Sequence, residues 1–173
     1  MKVLVCVALA LALTGCVTAP KPLQGQFSPL LPDAAVSRQA TGELVRWGGH
    51  IVSVDPQSQR TCFEIVAAPL YSSGRPKNVD ASAGRFLACR AGFYEPEVFQ
   101  PGRDITISGR IEAFETRKVG DYDYRYPRVA ADVIYLWPDR PDVDVIVTSP
   151  YYYGGWGGWG AWNGWGGWYG HRW

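Results

Sequence analysis

The chain has 173 residues, 17 Lys+Arg against 16 Asp+Glu and a formal charge of +1, with 20 Gly, 8 Trp, 4 Cys and 2 His. Near-neutrality with scattered lysines excludes the clustered basic footprint that a nucleic-acid backbone requires, so no nucleic-acid partner is expected. Two histidines and the lack of a long apolar span argue against a His-rich metal site and a multi-span transporter, and no metal or cofactor is expected.

Lys2 precedes an apolar run of 11 residues, 3–13. That is too short for a transmembrane helix, which needs about 20 residues, and it suits the h-region of an export signal. Leu13-Thr14-Gly15-Cys16 follows and looks like the lipobox of bacterial lipoproteins. Residues 1–15 then read as a signal peptide cut between Gly15 and Cys16, with Cys16 thioether-linked to diacylglycerol and its new amine acylated. Two or three acyl chains, each burying CH₂ groups worth about 0.8 kcal/mol, anchor a protein stably where one does not. Val17 occupies the second mature position, where an Asp keeps similar lipoproteins at the inner membrane. The outer membrane is therefore the expected location, with acylated Cys16 in its lipid.

Residues 16–40 hold Pro20, Pro22, Pro29 and Pro32 without sustained periodicity and read as an extended tether with one short turn near residues 32–39. Residues 41–148 are rich in Val, Ile, Phe and Tyr and suffice for one core. Strands are expected at 44–54, 61–68, 85–90, 104–114 and 128–137, with Gly48-Gly49 marking a bulge or bend in the first. Ile105, Ile107, Gly109, Ile111 and Ala113 alternate with Thr106, Ser108, Arg110 and Glu112, which predicts one core face and one wet face. Residues 142–147 alternate as a further edge strand, and 95–99 as a turn. The fold class is mostly β: a small OB-like, partly open antiparallel barrel of five to six strands, preferred over a two-sheet sandwich, which usually has seven strands or more.

Cys6 leaves with the signal and Cys16 carries lipid, so Cys62 and Cys89 remain. An even pair in an exported chain predicts a disulfide. Their midpoint falls in the turn-rich Ser72-Ser73-Gly74-Arg75-Pro76, so an antiparallel hairpin about that loop sets them opposite each other. The alternative is two free, buried thiols.

Catalytic candidates are sparse. His50 and His171 lack spaced partners, and no nucleophile elbow or phosphate loop occurs. Glu95 with Glu97 and Asp121 with Asp123 are pairs of the kind glycoside hydrolysis uses, but both fall in polar loops where solvated acids are the default. No catalytic residue is assigned.

Arg46-Trp47-Gly48-Gly49-His50-Ile51, Leu70-Tyr71-Ser72-Ser73-Gly74-Arg75-Pro76, Gly84-Arg85-Phe86-Leu87-Ala88, Gly92-Phe93-Tyr94-Glu95-Pro96, Ile107-Ser108-Gly109, Tyr124-Arg125-Tyr126-Pro127 and Leu136-Trp137 occur in that order. Together they resemble the Slp family of starvation-inducible outer-membrane lipoproteins over residues 13–140. The resemblance implies an envelope lipoprotein of stress or stationary-phase physiology without an assigned enzymatic activity. The Cys62 and Cys89 pair lies outside that pattern.

Residues 149–173 form a Gly/Trp/Tyr-rich tail in which Trp156, Trp159, Trp162, Trp165 and Trp168 recur every three residues. Three readings stand open: a low-complexity segment without a partner, indoles lying at the membrane interface, or indoles stacked on peptidoglycan, lipopolysaccharide or another envelope protein. The expected function is thus a structural or binding module facing the periplasm. The alternative is a periplasmic small-ligand carrier or an envelope glycan hydrolase.

Overall fold

The computed structural model describes residues 18–140; Gly15, Cys16, the stretch 142–147 and the tryptophans at 156–168 lie outside them. Strands β1 (Leu44–Pro56), β2 (Arg60–Ala67), β3 (Arg85–Ala91), β4 (Asp104–Val119) and β5 (Tyr122–Leu136) join edge to edge in the order β1-β2-β3-β5-β4, and β4 returns to β1. This is the expected OB-like sheet, with two corrections. The ring closes instead of staying partly open, and one seam is parallel: β3 meets β5 from Leu87↔Arg128 to Cys89↔Ala130. A parallel pair needs a long crossover, and β4 with its flanking loops supplies it.

The ring forms because its inward positions carry β-branched and aromatic side chains at a period of two. Val45, Trp47, Ile51, Phe63, Ile65, Phe86, Ala88, Ile105, Ile107, Ile111 and Val129 make one buried cluster, in which Trp47 meets Phe86 edge-on at 5.2 Å between ring centroids. The expected phase shift at Gly48-Gly49 is not there. Alternation runs unbroken through Val45, Trp47 and Ile51, and the register slips later, between Ile51 and Ser53, so that Val54 turns inward. The glycines serve close approach instead: a Cβ on Gly49 would lie 1.8 Å from the Val66 carbonyl oxygen.

The wet face expected on β4 holds at Arg110 and Glu112, which are exposed, and is corrected at its start. Thr106 and Ser108 are as buried as the isoleucines beside them, because a second layer covers the outside of the ring there. A further slip between Ser108 and Gly109, opposite Val133 and Ala131, sends Ile134 and Leu136 into the ring and leaves Val133, Tyr135 and Trp137 on its outer side.

That layer comes from the stretch expected to be a tether. A 3-10 turn at Lys21–Leu23 places Leu23, fully buried, with Ala19 against Trp137, Val133 and Tyr135. Ser28 then bridges to Val45, and α1 (Pro32–Arg38) docks Ala35 into the main core. Helix α1 starts at Pro32, whose missing N–H is no loss in the first turn, carries Asp33 near its N-terminus and Arg38 in its last turn, and ends at Gln39 in the left-handed region. Single anchors such as Leu23 and Ala35 create no periodic signal, which is why this packing is invisible to pattern analysis.

Candidate functional site at the chain-entry end

Ala19 and Trp137 belong to one buried cluster, so the chain enters and leaves the described domain at the same end of the ring. Trp137 donates its indole N–H to Thr106 Oγ1 at 2.9 Å, and Thr106 donates its hydroxyl proton to the Gly74 carbonyl at 2.8 Å. The β2–β3 connection is thereby pinned over the outer face of β4, and Arg46 secures the other side by donating to the Leu23 carbonyl.

Beside this cluster lies the most heavily charged assembly of the domain's end. The Asp104 carboxylate, at the head of β4, is 7% exposed; Oδ1 sits 3.0 Å from His50 Nδ1, and Oδ2 accepts from Arg75 Nε at 3.0 Å and Arg140 Nη2 at 3.0 Å. Both arginines also cap carbonyls, Arg75 that of Pro138 and Arg140 that of Pro76. Arg103 donates to the Trp137 carbonyl and pairs with Asp139. A cavity of about 190 Å³ opens here, bordered by His50, Asn78, Arg103, Asp104 and Arg140. It is smaller than the ~300–1,000 Å³ typical of small-molecule sites. Arg75 and Arg140 each divide their donors between the Asp104 carboxylate and a loop carbonyl, so the arrangement is suited to locking the loop 69–78 and the chain exit onto β4.

A second polar cluster lies on the outer side of β2 and β3. Glu64 Oε1 accepts from Arg85 Nη1 at 2.7 Å and from the Tyr126 hydroxyl at 2.7 Å. Burial, reinforced by the hydrogen bond and negative charge of Glu64, pushes the Tyr126 hydroxyl up to about 12. Tyr124, also raised by burial, accepts from the Arg85 backbone N–H and donates to Asp33 Oδ1, joining α1 to the sheet. The hydrogen bond to Glu64 raises Arg85 as well.

Cys62 and Cys89 stand directly opposite each other in the β2–β3 register and are joined as a disulfide, with Cα atoms 4.1 Å apart. The sequence spacing located this link. Among the described residues, which exclude His171, the carboxylate pairs are not brought together with any other catalytic candidate: Glu95 accepts from the Glu97 backbone N–H in a surface turn, and Asp123 pairs with Lys118 at the β4–β5 hairpin. His50 does have a partner, Asp104, one step across the β1–β4 ladder. Asp104 itself was missed. Its sequence signal is an acid heading an otherwise apolar alternating strand, whereas its partners Arg75 and Arg140 sit in loops, where an arginine defaults to solvent.

The geometry defines a small OB-like domain, disulfide-linked, whose two chain ends emerge together. Comparison with known proteins gives its class. Residues 13–170 match the family described as "Outer membrane lipoprotein Slp family". An uncharacterized protein of Haemophilus influenzae is 34% identical over 75% of this chain and 73% of its own length. The uncharacterized lipoprotein YeaY of Escherichia coli K12 is 31% identical over 84% and 78%, and the outer membrane protein Slp of the same organism 27% over 79% and 75%. Among solved structures, a small single-stranded DNA-binding protein from Streptomyces coelicolor aligns with a TM-score of 0.36 at 10% identity, covering 55% of this chain and 94% of its own. The chain belongs to the Slp family of outer membrane lipoproteins.

Proposed function

We propose that this protein is a non-catalytic structural and binding module of the cell envelope. It is held on the periplasmic side of the outer membrane by acylated Cys16, and its tryptophan tail makes a second contact with the same membrane. The observation that carries this reading is the meeting of the chain ends. Ala19, three residues after Cys16, and Trp137, twelve residues before the tail, share the Leu23 cluster. Residues 138–148 span up to about 36 Å when extended, a length that lets the tail reach the headgroup region at which Cys16 is held, where indoles partition through an apolar body and one N–H donor. A role in stress or stationary-phase physiology follows from the family resemblance and belongs to the same proposal.

The test uses the full mature chain with Cys16→Ser, so that binding does not depend on acylation, and the same chain truncated after residue 149. Sedimentation with phosphatidylethanolamine/phosphatidylglycerol vesicles is expected to require the tail. Equal pelleting of both chains overturns the membrane role, and tail-dependent pelleting with peptidoglycan alone replaces it by glycan binding.

A further inference from the structure

The chain-entry end also presents a surface of its own. Loop 69–77 is packed against the first described residues: a Cβ built on Gly74 would lie 3.6 Å from Leu23 Cδ1 and 3.8 Å from the Ala19 Cβ. The loop is a fixed shape. Leu70 bridges to Pro76, the Lys77 N–H donates to the Pro69 carbonyl at 2.8 Å, the Gly74 N–H donates to the Tyr71 carbonyl at 2.8 Å, and Thr106 holds the Gly74 carbonyl. On its outer side Tyr71 is 51% exposed, with the Lys77 ammonium 5.5 Å from the centre of its ring. Lys21 is exposed in the neighbouring 3-10 turn.

We propose that Tyr71, Lys77 and Lys21 form a lipid-headgroup contact that stands the folded domain on the bilayer with its chain-entry end down. The proposal rests on lipidation of Cys16. From Cys16 to Ala19 the chain makes three Cα steps, which reach at most about 11 Å. A domain anchored at Ala19 by so short a link holds the surface around Ala19 close to the headgroups, and Tyr71 with the two lysines is that surface. The chemistry fits: a tyrosine ring settles at headgroup depth, and lysines extend to lipid phosphates. Residues 18–28 and 69–79 contain Lys21, Arg75 and Lys77 and no Asp or Glu. Arg75 is committed to Asp104, which leaves the two lysines for the lipid.

The far end of the molecule is different in kind. Ile105 and Leu136 are paired next to the entry end, whereas Val119 and Tyr122 close the other end of the β4–β5 hairpin, roughly 50 Å of strand away. That tip carries Asp121 and Asp123 beside Tyr122, which is 68% exposed. It offers an aromatic of equal type whose neighbouring cations, Lys118 and Arg117, are already paired with Asp123 and Glu115.

The full-length lipoprotein is reconstituted in phosphatidylethanolamine/phosphatidylglycerol vesicles containing brominated lipid, with a bimane label on Tyr71→Cys or, as the distant control, on Tyr122→Cys. The expected result is at least threefold stronger quenching at position 71 than at position 122. Equal quenching in protein that floats with the vesicles and carries the mass of its acyl chains overturns this contact and leaves the anchor standing. Protein that lacks the acyl mass and does not float overturns the anchor and the contact with it.

Discussion

Trp137 and Thr106 are joined by a 2.9 Å hydrogen bond on the outside of the ring, where a small barrel normally meets water. The bond exists because Ala19, Leu23 and the Gly74 turn cover that face, so under this lid the indole N–H donates to the hydroxyl and the hydroxyl in turn to the Gly74 carbonyl. Trp137→Ala removes both the bond and the packing around it and is expected to cost about 3–5 kcal/mol. Trp137→Phe keeps most of the packing and should cost about 1–2 kcal/mol. Urea unfolding measures both. An unchanged midpoint for the alanine variant would show that the second layer contributes nothing to stability.

Asp104 ties three cationic or titratable side chains from separate segments: His50 on β1, Arg75 in the β2–β3 loop and Arg140 after β5. Asp104→Ala leaves two guanidiniums, both partly solvated, without their shared acceptor. The expected loss is about 2–3 kcal/mol, below the ~3–5 kcal/mol of a fully buried pair, because water re-solvates the arginines. Limited proteolysis should then cut first within loop 69–78; cleavage elsewhere, at wild-type rate, contradicts the locking role of Asp104.

The Cys62–Cys89 link closes a loop with a sequence separation of 27. In the chain-entropy account this stabilises by about 3.5 kcal/mol, so the Cys62→Ala, Cys89→Ala double variant should unfold at a correspondingly lower urea concentration. Alkylation of the purified protein without reductant, followed by intact-mass measurement, checks the bond directly. The mature protein is expected to take up no alkyl groups, and uptake of two would refute the link.

Tyr126 links pH to stability at the alkaline end. Its hydroxyl titrates near 10 in the unfolded chain and at about 12 when folded, because burial disfavours the phenolate and Glu64 prefers a donor. Between these two values the folded state holds a proton that the unfolded state has lost, so unfolding becomes easier as pH rises. The contribution is complete below pH 10 and gone above pH 12, a fall of roughly 2–3 kcal/mol. Melting temperatures taken from pH 9 to 12 should drop more steeply for the native protein than for Tyr126→Phe. Parallel curves would dissociate the alkaline loss from this residue.

Much of the ring was legible because its inward residues alternate: Ile105, Ile107 and Ile111 or Phe63 and Ile65 announce strands by themselves. The disulfide was legible because two cysteines remained and a turn lay midway between them. The outer layer was not, since Leu23 and Ala35 act as isolated anchors and Thr106 and Ser108 look like solvent-facing polar residues until something covers them. The Asp104 assembly was hidden for a related reason. Its members come from β1, a loop, β4 and the chain exit, and only ring closure brings them together.

Closure also makes two glycines more demanding than their neighbours. A Cβ on Gly49 would meet the Val66 carbonyl oxygen at 1.8 Å, and one on Gly109 the Ala130 carbonyl oxygen at 2.1 Å; each clash is with backbone of an adjoining strand, which cannot rotate away. Gly120 sets the contrast: its φ is +59° in the β4–β5 turn, and an added Cβ meets nothing within 4 Å. Gly120→Ala should therefore cost only the backbone preference, about 1–2 kcal/mol. Gly49→Ala and Gly109→Ala must push strands apart and should cost about 3 kcal/mol or more. Urea midpoints for the three variants separate steric from conformational causes: similar losses at all three positions would mean that the ring is slack enough to admit a methyl group, and that close approach is not what reserves Gly49 and Gly109 for glycine.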